Sequence, residues 1–242
     1  MVSNELLSLV LTMTQDQVQD FVLDYLGDGY EVVSNEHGII ARNKLASDGV
    51  VTLVAHLDTI NDHDGDVLVM DDLVVEEDRF SLKDGLSKVL GADCRAGLAL
   101  ALTLSKELPD GSKPHLVFPR NEEVGGIGAY GMVKEKCALL KEVLNTHALI
   151  ELDRRNEYDY VTYHYHNNVD HPVIQLIESL GYEEVEGSFT DIVAFDPMID
   201  SLDKTAVFNL SIGYYHAHTP KEYLDLFDYQ QSYDTLSKIV SL

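Results

Sequence analysis

Three short apolar runs limit what this chain can fold into. VVTLVAH at 50–56 and HALIELD at 147–153 are almost unbroken β-branched and aliphatic stretches, and HLVF at 115–118 is a shorter one. A strand buried on both faces loses the apolar-polar alternation of a half-exposed strand. These runs therefore predict the middle of a mostly parallel sheet in an α/β fold. Each run is followed by polar chemistry: His56-Leu57-Asp58, Asn121-Glu122-Glu123 and Asp153. Open α/β sheets place their ligands beyond such strand ends.

The remaining chain supplies the helices and hairpins around that sheet. Residues 5–26 carry Val18, Phe21, Val22 and Tyr25 at helical spacing, with Thr14 as a cap before a second helix and Gly27 and Gly29 at its end. YEVVSNEHGIIARNK reads as two strands joined by a turn at Asn35 to Gly38, with His37 a turn residue. NDHDGD at 61–66 lacks the bidentate Glu of a calcium loop and reads as a solvated turn. Residues 67–83 read as strands over VLVM and LVVEE. LGADCRAGLALALTLSKEL at 90–108 reads as a small-residue turn and a strongly apolar helix that stops before Pro109. A helix is expected over 131–143, a strand over 158–166 with His164 and His166 on one face, and a helix from Pro172 to Gly181. His164 and His166 offer a conceivable second metal site. The final strand is expected over 205–218, before a mainly helical tail from Glu222. Alternation puts His216 and His218 on one face, so spacing alone does not choose between them.

At 242 residues, with 45% hydrophobic and 24% charged side chains, the composition is that of an ordinary folded protein. Lys plus Arg total 17 against 42 Asp plus Glu, a formal charge of −25. That balance excludes nucleic acid and anionic membrane as main partners and makes cations the natural counterparts. Most of the excess is a solvated acidic surface. The start lacks a basic segment followed by an apolar core, and no run approaches the roughly 20 apolar residues of a membrane span. Only Cys94 and Cys137 are present, which is no disulfide framework and fits a reducing compartment. A cytoplasmic protein is expected.

The candidate site residues follow from the strand ends. Neighbouring side chains on an extended backbone point to opposite sides, so Glu122 and Glu123 share a task only if the chain turns, and Gly125 and Gly126 make that turn easy. One carboxylate can then bind a cation while the other holds a proton. His56-x-Asp58 is apt because a metal-bound imidazole needs a partner to orient its ring. Asp93, just before the apolar helix, suits either a cap of its first turn or a bridge between two metals. Arg154 and Arg155 suit either a substrate carboxylate or a surface ion pair.

The ordered set His56-x-Asp58, Gly91-Ala92-Asp93, Asn121-Glu122-Glu123, Glu151-Leu152-Asp153 and His218-Thr219-Pro220 resembles the co-catalytic di-zinc exopeptidase superfamily. That group includes aminopeptidases, carboxypeptidases and peptidase T-like tripeptidases, and the match spans about 50–220. The resemblance implies an α/β/α sandwich with a mixed, mostly parallel central sheet. It implies that His56 and Asp153 hold one zinc, that Glu123 and His218 hold the other, and that Asp93 bridges them. Asp58 would orient His56 and Glu122 would be the general base. His218 is preferred to His216 because the family's last ligand precedes Ser/Thr-Pro, and a cis peptide is expected after Asp93. Many members insert a lid or dimerisation domain between the last two ligand motifs. Here a strand, a helix and a loop already fill that interval, so residues 1–242 are expected to form one compact catalytic domain.

The activity this implies is hydrolysis of small peptides, foremost by an aminopeptidase. Two zinc ions would acidify a water, and Glu122 would take its proton and hand it to the leaving amine. Cobalt or manganese can replace zinc in such an N/O site. The net charge favours a free amine as the anchored substrate group, whereas a carboxypeptidase would use Arg154 or Arg155. A deacylase of N-acyl amino acids would use the same water. The alternative of another class is a catalytically silent metal-binding or interaction domain, against which Glu122 weighs, since a structural zinc site needs no spare base.

Overall fold

A computed structural model of the chain describes residues 3–47, 49–65, 67–163, 165, 170–187 and 189–242. Helices α1 (Asn4–Leu11) and α2 (Gln15–Leu26) precede a hairpin of β1 (Tyr30–Asn35) and β2 (Gly38–Asn43). Next come β3 (Val51–Val54), the short α3 (Ile60–Asp64), the hairpin β4 (Leu73–Glu76) and β5 (Arg79–Leu82), and the long α4 (Ala92–Glu107). They are followed by β6 (His115–Pro119), α5 (Ile127–Glu135), α6 (Ala138–Leu144), β7 (Ala148–Arg154), β8 (Asp159–Val161), α7 (Pro172–Ser179) and β9 (Glu183–Glu184). The chain closes with α8 (Asp191–Ala194), β10 (Ala206–Ser211), β11 (Tyr214–Tyr215), β12 (Tyr223–Asp225) and α9 (Leu226–Ile239).

The main sheet has eight strands in the order β1-β2-β6-β3-β7-β10-β8-β9. Its four central strands, β6, β3, β7 and β10, are mutually parallel. Alternate residues of these strands feed two separate cores. Leu53, Leu116, Ile150 and Phe208 pack with α1, α2, α4, α7 and α9 on one face. Val54, Val117, Leu149 and Val207 pack with α5, α6 and α8 on the other. The α/β/α layering thus follows from strands that are apolar on both sides.

The N-terminal helices are fixed locally. Thr14 accepts from the Gln17 N–H at 3.4 Å while the Gln17 side chain accepts from the Thr14 N–H at 2.9 Å, a reciprocal capping box. Thr14→Ala is expected to cost about 1 kcal/mol, read from the urea midpoint. An unchanged midpoint would show the cap to be idle.

Several elements differ from the sequence reading for identifiable reasons. VLVM at 67–70 is not a strand, because the Asp72 carboxylate accepts from the Val69 N–H at 3.0 Å and turns the chain. Its neighbours form β4 and β5, which join β11 and β12 in a second, four-stranded sheet. The expected helix over 131–143 is two helices, broken where Lys136 takes a positive φ of 52°. The strand expected over 158–166 stops at Val161, and Tyr163 has a φ of 53°. His164 and His166 lie outside the described residues. The strand expected over 205–218 ends at Ser211; Gly213, with a φ of 87°, turns the chain away from the main sheet and into β11. Gly213 is held there from both sides, donating to Asn156 O and accepting from Asp225 N–H, each at 2.9 Å. Among the described residues no helix is long and apolar enough to cross a membrane.

Candidate metal centre and active site

Four elements bring the candidate residues to one edge of the main sheet. β3 leads into His56 and Asp58, β6 into the turn bearing Glu122 and Glu123, β7 carries Asp153, and α4 opens with Asp93. The three strands are parallel neighbours, so their C-terminal ends coincide. α4 lies unusually close to β7: a Cβ on Gly97 would sit 2.0 Å from the main-chain oxygen of Leu152. The turn after Glu122 forms through Gly125 and Gly126, whose N–H groups donate to Glu122 O at 2.8 and 3.0 Å. The Asp93–Cys94 peptide is cis.

Asp93 is the centre of the arrangement. Its Oδ1 is 3.3 Å from His56 Nε2, and its Oδ2 is 3.3 Å from His218 Nε2. Asp153 Oδ1 lies 3.4 Å from His56 Nε2, and Glu123 Oε1 lies 2.9 Å from His218 Nε2. Two histidine-carboxylate pairs therefore meet at one shared carboxylate. His218, not His216, is brought into this group. Neither lies in a strand, and the exposed His216 ring sits 5.9 Å from that of Tyr223.

The His56 ring is set by the main chain. Its Nδ1 is 3.0 Å from the Asp58 carbonyl oxygen, which can only accept, so the proton sits on Nδ1 and the Nε2 lone pair faces Asp93 and Asp153. The Asp58 carboxylate, 3.4 Å from the same Nδ1, has wider work. It accepts from the Glu122 N–H at 3.0 Å, the Glu123 N–H at 3.1 Å and His63 Nε2 at 2.8 Å. Burial alone would raise this carboxyl, but the hydrogen bonds from His56, His63 and Glu122 hold it well below the usual range.

The residues fit a pair of cations. Asp153 Oδ2 accepts from Thr190 Oγ1 at 3.0 Å, but its buried Oδ1 has no hydrogen-bond partner. Burial first, then the Asp93 charge, pushes the Asp153 carboxyl well up. Burial also raises Glu122, with Asp93, Glu123 and Asp58 adding to it against His56. Asp93 and Glu123 together draw His218 up to about 11. Buried carboxylates crowded in this way are short of positive charge, and imidazole nitrogen with carboxylate oxygen is a donor set for zinc-class ions. Cys94 also lies near His56 and Asp153. Its S–H donates to Leu152 O at 3.3 Å, and burial pushes the thiol well up.

Five supporting residues, Gln15, Asp62, His63, Arg95 and Glu222, escaped the sequence reading. Residues 61–64 are not a solvated turn: they lie in α3, whose Asp62 accepts from Gln15 N–H at 2.9 Å and from the fully buried Arg95 at 3.1 Å. An arginine directly before the apolar run AGLALAL was the available signal, since a buried guanidinium demands an acid. The same segment supplies His63. Glu222, 2% exposed, accepts from Gly91 and Asp93 N–H at 3.0 and 3.2 Å, and burial raises its carboxyl to about 8. Gln15 donates to the Asn121 side chain at 3.2 Å and accepts from its N–H at 3.0 Å, beside Glu122. Of the two arginines, Arg154 is engaged by Asp159 at 3.0 and 3.3 Å, while Arg155 is exposed. Both line a cleft of ≈ 270 Å³ that also exposes Asp93, Glu122, Asp153 and His218.

No family profile and no curated protein matches this sequence. The fold is nevertheless that of known zinc-exopeptidase-like structures. A tripeptidase from Staphylococcus aureus superposes with a TM-score of 0.73 at 13% identity, over 98% of this chain and 96% of that one. The aminopeptidase PepT from Bacillus cereus gives 0.72 at 14% identity, over 99% of this chain and 98% of that one. A zinc aminopeptidase from Bacillus subtilis gives 0.50 at 18% identity, over 84% of this chain and 48% of that one.

Proposed function

We propose that the chain is a metal-dependent exopeptidase that removes the amino-terminal residue of small peptides. The observation that carries this reading is Asp93, whose two oxygens each stand 3.3 Å from a different histidine, with Glu122 opening on the same cleft. His56, Asp93 and Asp153 would hold one zinc-class ion, and Asp93, Glu123 and His218 the other. When bound, such a pair supplies Lewis acidity toward a peptide carbonyl and lowers the pKa of water.

The rest falls to the chain's own groups. Glu122 takes a proton from the attacking water and delivers it to the leaving amine, and the raised affinity of its carboxyl for protons suits both transfers. Asp58 fixes both sides of this arrangement, orienting His56 through its carbonyl and holding the Glu122 and Glu123 main chain through its carboxylate. The acidic lining attracts a free α-amine. The similar structures are a tripeptidase and an aminopeptidase, which supports this reading.

Metal analysis of the purified protein is expected to find about two zinc-class ions per chain. Exhaustive chelation should abolish release of amino-terminal residues from free-amine peptides, and zinc, cobalt or manganese should restore it. Activity that survives complete metal removal, or cleavage confined to N-blocked substrates, would sink the proposal.

A further inference from the structure

Cys94 is fully buried, and its sulfur stands 3.3 Å from the main-chain oxygen of Leu152, the residue before Asp153. One donor atom each from His56, Cys94 and Asp153 lie within 4.8 Å of one another. The nitrogen and the oxygen of this group are already set for a cation. His56 is fully buried, with Nε2 3.4 Å from Asp153 Oδ1. That oxygen belongs to a side chain only 9% exposed and has no hydrogen-bond partner. Two donors held about 2.0–2.1 Å from one tetrahedral ion are about 3.3–3.4 Å apart, which is the separation observed. Cys94 packs with the apolar core on one side, but on the other it meets an imidazole and an orphan carboxylate oxygen.

We propose that Cys94 is a protein ligand of the first cation site, adding sulfur to His56, Asp93 and Asp153. A sulfur lone pair forms the bond to the metal, the S–H bond breaks and its proton passes to water, with no change of oxidation state. The two sites then become unequal. Four protein donors close a zinc site, whereas the three of the second site, Asp93, Glu123 and His218, leave a place open for the reacting molecules. Sulfur also biases the first site towards zinc and against manganese, because thiolate suits soft ions and carboxylate hard ones. This inference rests on the two-cation part of the proposed function and is independent of which bond is cleaved.

The test uses the full-length protein stripped of metal and titrated with cobalt chloride. A cobalt–thiolate bond gives an intense near-ultraviolet charge-transfer band that nitrogen and oxygen ligands do not. The band is expected to grow with the first equivalent of cobalt in the wild type and in Cys137→Ser, and to be missing in Cys94→Ser. The chain has two cysteines, so a band kept in Cys137→Ser assigns the sulfur to Cys94 even if Cys94→Ser does not fold. By calorimetry, Cys94→Ser should weaken zinc binding by at least about 10-fold, the lower end of what losing an outer partner of a ligand costs. Manganese binding should be unchanged. Cobalt bound to the wild type without the band overturns the proposal whatever the variants do. A band that survives Cys94→Ser, or unchanged zinc affinity in that variant, overturns it as well. Cleavage of free-amine peptides by the zinc-loaded wild type is followed separately. A Cys94-dependent band without cleavage upholds the ligand and defeats the exopeptidase reading, whereas cleavage by a protein that binds cobalt without the band does the reverse.

Discussion

Glu122→Gln is expected to lower kcat by about 10²- to 10⁴-fold while leaving metal content unchanged. The change removes the group that carries the proton but keeps the side-chain volume. It also spares the contact that shapes the loop, because the bond from residue 122 to Asp58 is made by the main-chain N–H at 3.0 Å. Loss of turnover would therefore report on proton transfer rather than on a collapsed loop. Glu123→Gln is the informative contrast. Glu123 lies 2.9 Å from His218, so weakening it should reduce metal occupancy first and activity as a consequence. Steady-state kinetics with metal analysis separates the two variants. Wild-type kcat in Glu122→Gln would remove the base from the mechanism.

Gly97→Val is expected to destabilise the fold by at least about 3 kcal/mol, or to prevent soluble accumulation altogether. A Cβ at this position would stand 2.0 Å from Leu152 O and 2.8 Å from Leu152 Cβ. The first of those atoms is backbone in the middle of β7 and cannot rotate away. α4 would have to move off the sheet, and the apolar side chains buried along both elements would lose contact. The same movement would draw Asp93, at the start of α4, away from His56 and Asp153. Urea unfolding gives the stability change, and metal analysis of any folded fraction gives the effect on the site. A wild-type midpoint would show that α4 and β7 tolerate separation.

The layers and the strand-end places of His56, Glu122, Glu123 and Asp153 were legible because they depend on local pattern. A strand buried on both faces shows itself as an unbroken apolar run, and the polar residue that ends it stands out. Leu53 and Val54 illustrate the point, since adjacent residues serve opposite cores. What stayed hidden depends on distant partners. The second sheet joins residues of the 73–82 hairpin to strands beyond residue 213, and nothing in LVVE or RFSL announces YY and YLD as neighbours. The apolar alternation of 205–218 predicts one strand, yet the hydrogen bonds of Gly213 to Asn156 and Asp225 bend it out of the sheet. His63 and Glu222 sit in segments whose composition looks solvated, and only the folded chain turns them toward Asp58 and the start of α4. The engagement of Arg154 by Asp159 was an alternative the sequence left open.

The clamp on Asn121 has a further consequence. Gln15 and Asn121 are 106 positions apart, and Arg120 next door pairs with Asp16 and Gln19 of the same helix. Arg95 ties the carbonyls of Val10 and Met13 to Asp62, which anchors that corner from beneath. The turn bearing Glu122 and Glu123 is thus upheld by the first two helices, whereas His56, Asp93 and Asp153 are held by the sheet and by α4. Partial undocking of α1 and α2, a local opening far cheaper than global unfolding, would loosen Glu122 while sparing His56, Asp93 and Asp153. Under the proposed function, weakening the docking of α1 and α2 is therefore expected to raise hydrogen exchange in those helices and to lower turnover together.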